Sequence, residues 1–152
     1  MFSGLVYCAD CGAKMYYGAT NNYKPQNAFF DCSLHWKDKE KCGTHYIRES
    51  VLERLVLHHI QMVTNHILHH KDYFVSVMGQ QMRLESSKLF IQKADKHVGI
   101  EKLTPYALRE LIQGIYVEAP DKSTGKRRQT IHIKYDGIGF IPLDVLMNGK
   151  TA

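Results

Sequence analysis

All four cysteines of this 152-residue chain fall within its first 42 positions, in two pairs. Cys8 and Cys11 stand in the run Tyr7-Cys8-Ala9-Asp10-Cys11-Gly12, two residues apart; Cys32 and Cys42 follow, nine residues apart. A two-residue gap lets two thiolates from one tight turn reach a single ion, and the glycine after it suits a turn position free of a Cβ. Four thiolates complete a tetrahedron around Zn²⁺ and leave no open position. The spacing therefore predicts one structural zinc held by Cys8, Cys11, Cys32 and Cys42, not a catalytic metal. Two alternatives stand beside this reading. Disulfides would need an oxidising compartment, and Met1 to Met15 has no long apolar stretch of the signal-peptide kind. His35 or His45 could instead replace one cysteine as a ligand, with His45 the better placed at Cys42-x-x-His45.

Composition adds bounds. The chain is 44% hydrophobic and 23% charged, ordinary values for a folded protein. No apolar run approaches a membrane span, so neither a membrane nor a lipid partner is expected. The formal net charge of +5 points only weakly to a polyanionic partner, but its distribution is uneven. Residues 121–135 carry Lys122, Lys126, Arg127, Arg128 and Lys134 against Asp121 alone. An anion-binding surface must come from such local clustering.

Along the chain, residues 1–46 read as a metal-pinned ribbon. Lys14 to Gly18 and Ala28 to Cys32 form two candidate strands, with the turn-forming residues 19–27 between them. A ribbon of this size buries little core and takes its folding energy from the metal. Residues 47–78 read as one long helix, because Val56, Ile60, Val63, Ile67, His70, Phe74 and Val77 recur at alternating steps of four and three, a heptad seam. Leu84, Ser87, Ile91, Ala94 and Val98 repeat the spacing in a second, weaker helix. The two read as an antiparallel pair, either a coiled coil or ordinary hairpin packing. Thr104-Pro105 opens a short helix with an apolar face of Leu108, Leu111, Ile112 and Ile115. Strands at 115–118 and 129–135, with a third at 138–143, finish the chain. The expected class is α+β in three segments: 1–46, a zinc β-ribbon; 47–102, the long helix and a coiled-coil stump; 103–152, a small cap of helix plus β-hairpin.

No catalytic constellation is present. The serines lie in no nucleophile motif, no glycine-rich loop precedes a helix, and the carboxylates are scattered. No small-molecule substrate is implied. His58, His59, His66, His69 and His70 cluster on the long helix, but at no diagnostic ligand spacing, and read as helix surface or seam filler. The ribbon hairpin is the better recognition candidate, since Lys14, Tyr16, Asn21, Asn22 and Lys24 mix amide, phenol and ammonium chemistry. Amides can read adenine edges, and lysine pairs with phosphate or guanine. The alternative is a solvated polar loop. Lys126, Arg127 and Arg128 beside a hairpin form a plausible phosphate contact.

Taken together, these residues resemble the C-terminal region of large serine recombinases of the transposon-resolvase and phage-integrase type. The signature runs from Phe2-Ser3-Gly4-Leu5-Val6-Tyr7-Cys8 to Gly12, through Cys32, to Cys42-Gly43-Thr44-His45-Tyr46-Ile47 and Val51-Leu52-Glu53. A second block comprises Glu101 to Pro105, Ala119 to Gly125 and Ile131 to Tyr135. The resemblance implies a ribbon that docks on double-stranded DNA at a mobile element's attachment or end sites. It implies a coiled coil that contacts other recombinase subunits in the full-length protein, action in the cytoplasm on the bacterial nucleoid, and roles in DNA integration, excision and transposition. The family's catalytic serine lies in an N-terminal resolvase domain, of which nothing is present in this sequence, so the chain is expected not to be an enzyme by itself. The family's long coiled coil is also shortened, to about Gln80–Asp95. The leading expectation is therefore site-specific DNA binding without catalysis. Its rival is a protein-interaction module that controls subunit synapsis, with the ribbon as scaffold.

Overall fold

The computed structural model describes residues 1–19, 27–79, 84–141 and 143–144. Among these the protein is α+β, with five helices and seven strands in two sheets. It divides into two compact units, each assembled from distant parts of the chain: Met1–Leu55 with Gly114–His132, and Val56–Gln113 with Ile133–Ala152. These units cut across the three consecutive segments expected along the sequence.

The first unit holds the ribbon. Its strands are β1 (Val6–Cys8), β2 (Met15–Gly18), β3 (Phe29–Cys32) and β4 (Tyr46–Arg48), with a single-turn helix α1 (Ser33–Lys37) after β3. β2, β3 and β4 form an antiparallel sheet in which Tyr16 faces Asp31 and Asp31 faces Tyr46. The third strand occupies residues expected to start the long helix. Ile47 is buried at its centre, and the chain turns helical only at Glu49. The expected two-stranded ribbon therefore has three strands, because a strand with an apolar middle residue completes the sheet's inner face.

The ribbon also has a larger core than its length suggests. β1 pairs in parallel with the distal part of β5 (Ile112–Val117), in the register Val6 to Ile115 and Cys8 to Val117. Ile115 N donates to Leu5 O, and the Tyr7 and Tyr116 rings stack at 5.5 Å. Phe2, Met15, Phe30, Ile47, Leu52, Ile115 and Val117 are all buried. Parallel strands require a long crossover, which more than a hundred intervening residues supply. Beyond β5, Glu118 N donates to Thr130 O, which brings the chain back beside it.

The second unit is mainly helical. The seam residues Val56, Ile60, Val63 and Ile67 are buried on α2 (Glu49–His69), and Phe74 on α3 (Lys71–Gly79). The expected single helix is thus two, separated at His70, which is exposed. His70 N bonds both His66 O and Ile67 O, a locally tightened turn, and Phe74 N then bonds His70 O. Beyond the break the seam rotates: Val77 is half-buried and Met78 takes the buried place.

α4 (Leu84–Asp95) lies antiparallel to α3. Lys71 at the start of α3 meets Asp95 at the end of α4 at 2.6 Å, and Phe74 stacks on Phe90 at 6.2 Å. The inward face of α4 is Ser87, Phe90, Ile91 and Ala94; Leu84 and Val98, expected in the seam, are exposed. Phe90 fills the place because its ring reaches both Phe74 and, at 5.5 Å, Tyr135. α5 (Pro105–Leu111) begins as read, with the Thr104 hydroxyl accepting from Ala107 N. It ends four residues sooner than its apolar face suggests. Ile112 is already extended, and the β5 alternation begins there, with Ile112, Ile115 and Val117 buried. β6 (Ile131–Tyr135) pairs antiparallel with β7 (Gly139–Phe140), shorter than the expected third strand, and β5 and β6 each pass from one unit to the other. Among the described residues no helix is long and apolar enough to cross a membrane.

Charged pairs tie α4 and the turn after it to their neighbours. Lys93 meets Asp136 at 2.6 Å, while Lys96 and His97 both reach Glu110 on α5, at 2.8 and 2.7 Å. The Lys96 ammonium, with the His97 ring second, holds the Glu110 carboxyl well below its ordinary 4.5, at about 2. A carboxyl depressed in the folded state stabilises fully above its unfolded pKa, and that contribution is lost as pH falls through the folded value. Denaturation midpoints of the native chain should therefore fall between about pH 4.5 and pH 2 by more than those of a Glu110→Gln variant. Chemical denaturation followed by circular dichroism across that window measures the difference.

Candidate metal centre and nucleic-acid interface

Three pieces of backbone deliver the four thiols. β1 carries Cys8 to the first turn, where Gly12 N donates to Cys8 O at 3.0 Å and Cys8 N to Ala13 O at 2.9 Å. This closes the turn tightly enough to require φ of +70° at Gly12, a region glycine enters without steric cost. Cys32 ends β3, its amide shared between His45 O and the Asp31 carboxylate. Cys42 lies in the loop before β4.

The four sulfurs lie within 4.8 Å of one another. Cys8 and Cys42 are 3.6 Å apart, Cys11 and Cys32 3.5 Å, and Cys32 and Cys42 3.8 Å. A tetrahedral ZnS₄ centre with Zn–S bonds of about 2.3 Å has sulfur–sulfur edges of about 3.8 Å. A disulfide would need about 2.05 Å, and all four cysteines are free thiols. The donor set and its spacing fit a four-coordinate thiolate site.

Electrostatics agree. Cys8, Cys32 and Cys42 are buried and pack with Cys11, Ala13 and Leu34. Burial pushes the Cys8 thiol up to about 11 and raises Cys42 further. At Cys11 burial acts in the same direction but is outweighed by the Ala13 amide and the neighbouring thiols, which lower it. Four thiolates this close and this dry require a cation to offset their charge.

Neither histidine weighed as a ligand belongs to the sulfur cluster; both brace Cys42 from outside. His35 Nδ1 lies 2.9 Å from Cys42 O. His45 is fully buried, with Nδ1 3.0 Å from Gly43 O and 3.5 Å from Cys42 Sγ, and Nε2 2.9 Å from Asp10 Oδ2. Such outer partners orient ligands and limit their motion. The Cys-x-x-His spacing carried this signal, though as a support and not as a donor.

The expected nucleic-acid residues divide. Asn21, Asn22 and Lys24 lie outside the described residues. Lys14, just before β2, and Tyr16 on β2 are exposed, and Lys126, Arg127 and Arg128 are exposed on the arm between β5 and β6. Within that arm Asp121 and Arg128 exchange backbone hydrogen bonds of 2.8 and 3.0 Å. Strand register gives the ribbon sheet two distinct faces. Met15, Phe30, Cys32 and Ile47 turn inward and are buried. Tyr16, Phe29, Asp31, Tyr46 and Arg48 share the outer face.

Arg127 reaches this outer face across 81 positions of sequence. It donates to Tyr46 O, and its guanidinium sits 5.0 Å from the Tyr46 ring centroid. Tyr46 in turn packs against Phe29 at 5.0 Å, and Trp36 Nε1 donates to Asp31 at 3.1 Å. Phe29, Trp36, Tyr46 and Arg48 are face residues the sequence reading missed. The alternation Phe29/Asp31 and Tyr46/Arg48 would have marked the first and the last two, had β4 been read as a strand.

Residues 1–61 match the recombinase zinc beta ribbon domain, and residues 77–142 match a domain of unknown function (DUF4368). No curated protein and no solved structure matches the chain.

The turn geometry makes one prediction. No atom lies within 4 Å of a Cβ built on Gly12, so Gly12→Ala adds backbone strain without a clash. It should cost about 1 kcal/mol. Denaturant titration of both proteins should show a lower midpoint with an unchanged m-value.

Proposed function

Because this chain is a serine recombinase C-terminal region built on the recombinase zinc β-ribbon, we propose that it binds double-stranded DNA at mobile-element attachment or end sites, with one structural zinc fixing the ribbon. The observation that carries the reading is the sulfur tetrahedron at the base of the β2–β3 hairpin. It fixes where the hairpin starts and ends, and so where Lys14 and Tyr16 are presented. Zinc would supply charge balance and rigidity here and no chemistry of its own. Lys14 and Lys24 would neutralise phosphates, Asn21 and Asn22 would read base edges, and Lys126 and Arg128 would add backbone contacts. Strand cleavage would belong to a resolvase-type catalytic domain, with this chain supplying recognition in the cytoplasm.

A second reading has its own observation. Leu84 and Leu89 are 50% and 54% exposed on α4, so the α3–α4 pair offers apolar surface to another recombinase subunit, as the base of a coiled coil. Apolar docking is nearly insensitive to salt, whereas phosphate neutralisation falls steeply with it.

Two outcomes test the proposal. Metal analysis of protein purified without chelator should find one zinc per chain, and chelation should abolish the ribbon's circular-dichroism signal; a zinc-free, folded ribbon would overturn the site. Duplexes carrying the element's own ends should bind more tightly than scrambled ones. Asn21→Ala or Asn22→Ala should then narrow that gap by about 1–3 kcal/mol for each bidentate pair removed. An unchanged preference in both variants would remove the hairpin tip from the interface.

A further inference from the structure

A cleft of about 390 Å³ opens within the first unit, lined by Tyr46, Ile47, Arg48, Val51, Arg54, Leu55, Arg127 and Gln129. Three of these residues are arginines and none is acidic. Arg48 comes from β4, Arg54 from the first turns of α2, and Arg127 from the arm between β5 and β6, so the fold gathers charges that the sequence keeps up to 79 positions apart. All three are exposed, and among the described residues no ion pair engages any of them. Lys71, Lys93 and Lys96 of the second unit behave differently: each holds a carboxylate within 2.8 Å.

Guanidinium groups stay charged at any relevant pH, and like charges gathered over an apolar floor of Ile47, Val51 and Leu55 repel one another unless an anion joins them. One of the three is already positioned. Arg127 is held by Tyr46 O, by the Tyr46 ring and by Gln129 Oε1 at 3.4 Å, while Gln129 is itself fixed by its bond to Glu118 O at 2.8 Å. A planar fork held in this way loses little side-chain entropy on binding, and arginine forks match phosphate oxygens in pairs.

We propose that Arg48, Arg54 and Arg127 form a clamp for the phosphodiester backbone of duplex DNA, a contact surface additional to the hairpin tip. The inference rests on the DNA-binding reading above and makes it more specific. Phosphate contacts set affinity and register but carry no base information, so the clamp acts equally on any sequence. It would fix the ribbon's position on the duplex while the hairpin reads bases.

The test measures dissociation constants of the full chain for an element-end duplex and a scrambled duplex of equal length, across a salt series of about five points between roughly 50 and 300 mM. Removing one arginine–phosphate pair should reduce the slope of log K against log salt by about 0.9, which corresponds to about fivefold weaker binding at 0.15 M salt. Arg48→Gln and Arg54→Gln should each show that reduction, by the same factor on both duplexes. Arg109→Gln, an exposed arginine of α5 outside the cleft, removes the same charge and should leave the slope unchanged. Thermal midpoints verify folding, and Arg54→Gln, on an exposed helix face, carries the test by itself should Arg48→Gln destabilise the strand. Unchanged slopes in both cleft variants, with normal binding by the native chain, would overturn the clamp and leave the DNA-binding reading intact. An equal reduction in Arg109→Gln would overturn it too, as an effect of net charge. A native chain with no salt-dependent affinity for either duplex would overturn both.

Discussion

Four sulfur atoms within 4.8 Å of one another impose the constraint from which the rest of the first unit follows. They tie the end of β1, the turn after it, the end of β3 and the loop before β4 to one point. With those ends fixed, β2, β3 and β4 can pair in only one register, because a shift of one residue would turn Phe30 and Ile47 outward and Tyr16 and Tyr46 inward. The outer supports follow the same logic. Asp10, His35 and His45 carry no sulfur, yet they hold the backbone of the Cys42 loop where its thiol must stand.

The ribbon is nevertheless not a free-standing metal module. Its β1 strand finds a parallel partner in β5, and Phe2, Leu52, Ile115 and Val117 build an apolar core beside the sulfur cluster. The sulfur cluster and the core then share the task of holding the sheet. The same return of the chain brings the basic arm across to Tyr46, so an outer face that would present only aromatic and acidic groups beside Arg48 acquires a second arginine.

The second unit is held by more ordinary means. A buried stripe along α2 and α3 meets Phe90, Ile91 and Ala94 of α4, and ion pairs at the helix ends fix their relative order. Ser87 Oγ and Tyr135 Oη in this unit are buried with no hydrogen-bond partner among the described residues, and burial raises the Tyr135 phenol. Tyr135 packs edge-on against the Phe90 ring at 5.5 Å, and Ser87 lies on the same buried face of α4 as Phe90.

The sequence by itself determined the cysteine quartet, the seam on α2, the start of α5 and the β6 strand. Each rests on a local pattern: a two-residue cysteine gap, a repeat of four and three, a threonine–proline cap, or strict alternation. Local patterns survive folding because short-range geometry sets them. What depended on distant partners had no such mark. Tyr46–Arg48 became a strand because β3 offered an unpaired edge, β5 started early where the returning chain could bond it, as Asp136 N does at Leu111 O, and Phe90 displaced Leu84 because two rings awaited it. His70 left the seam where the helix tightened. The arginine cleft was the least legible of all, since Arg48, Arg54 and Arg127 come from a strand, a helix and an arm that only the tertiary fold brings to one place. Charge proximity is a property of three-dimensional distance, and distance between elements is what a linear pattern does not encode.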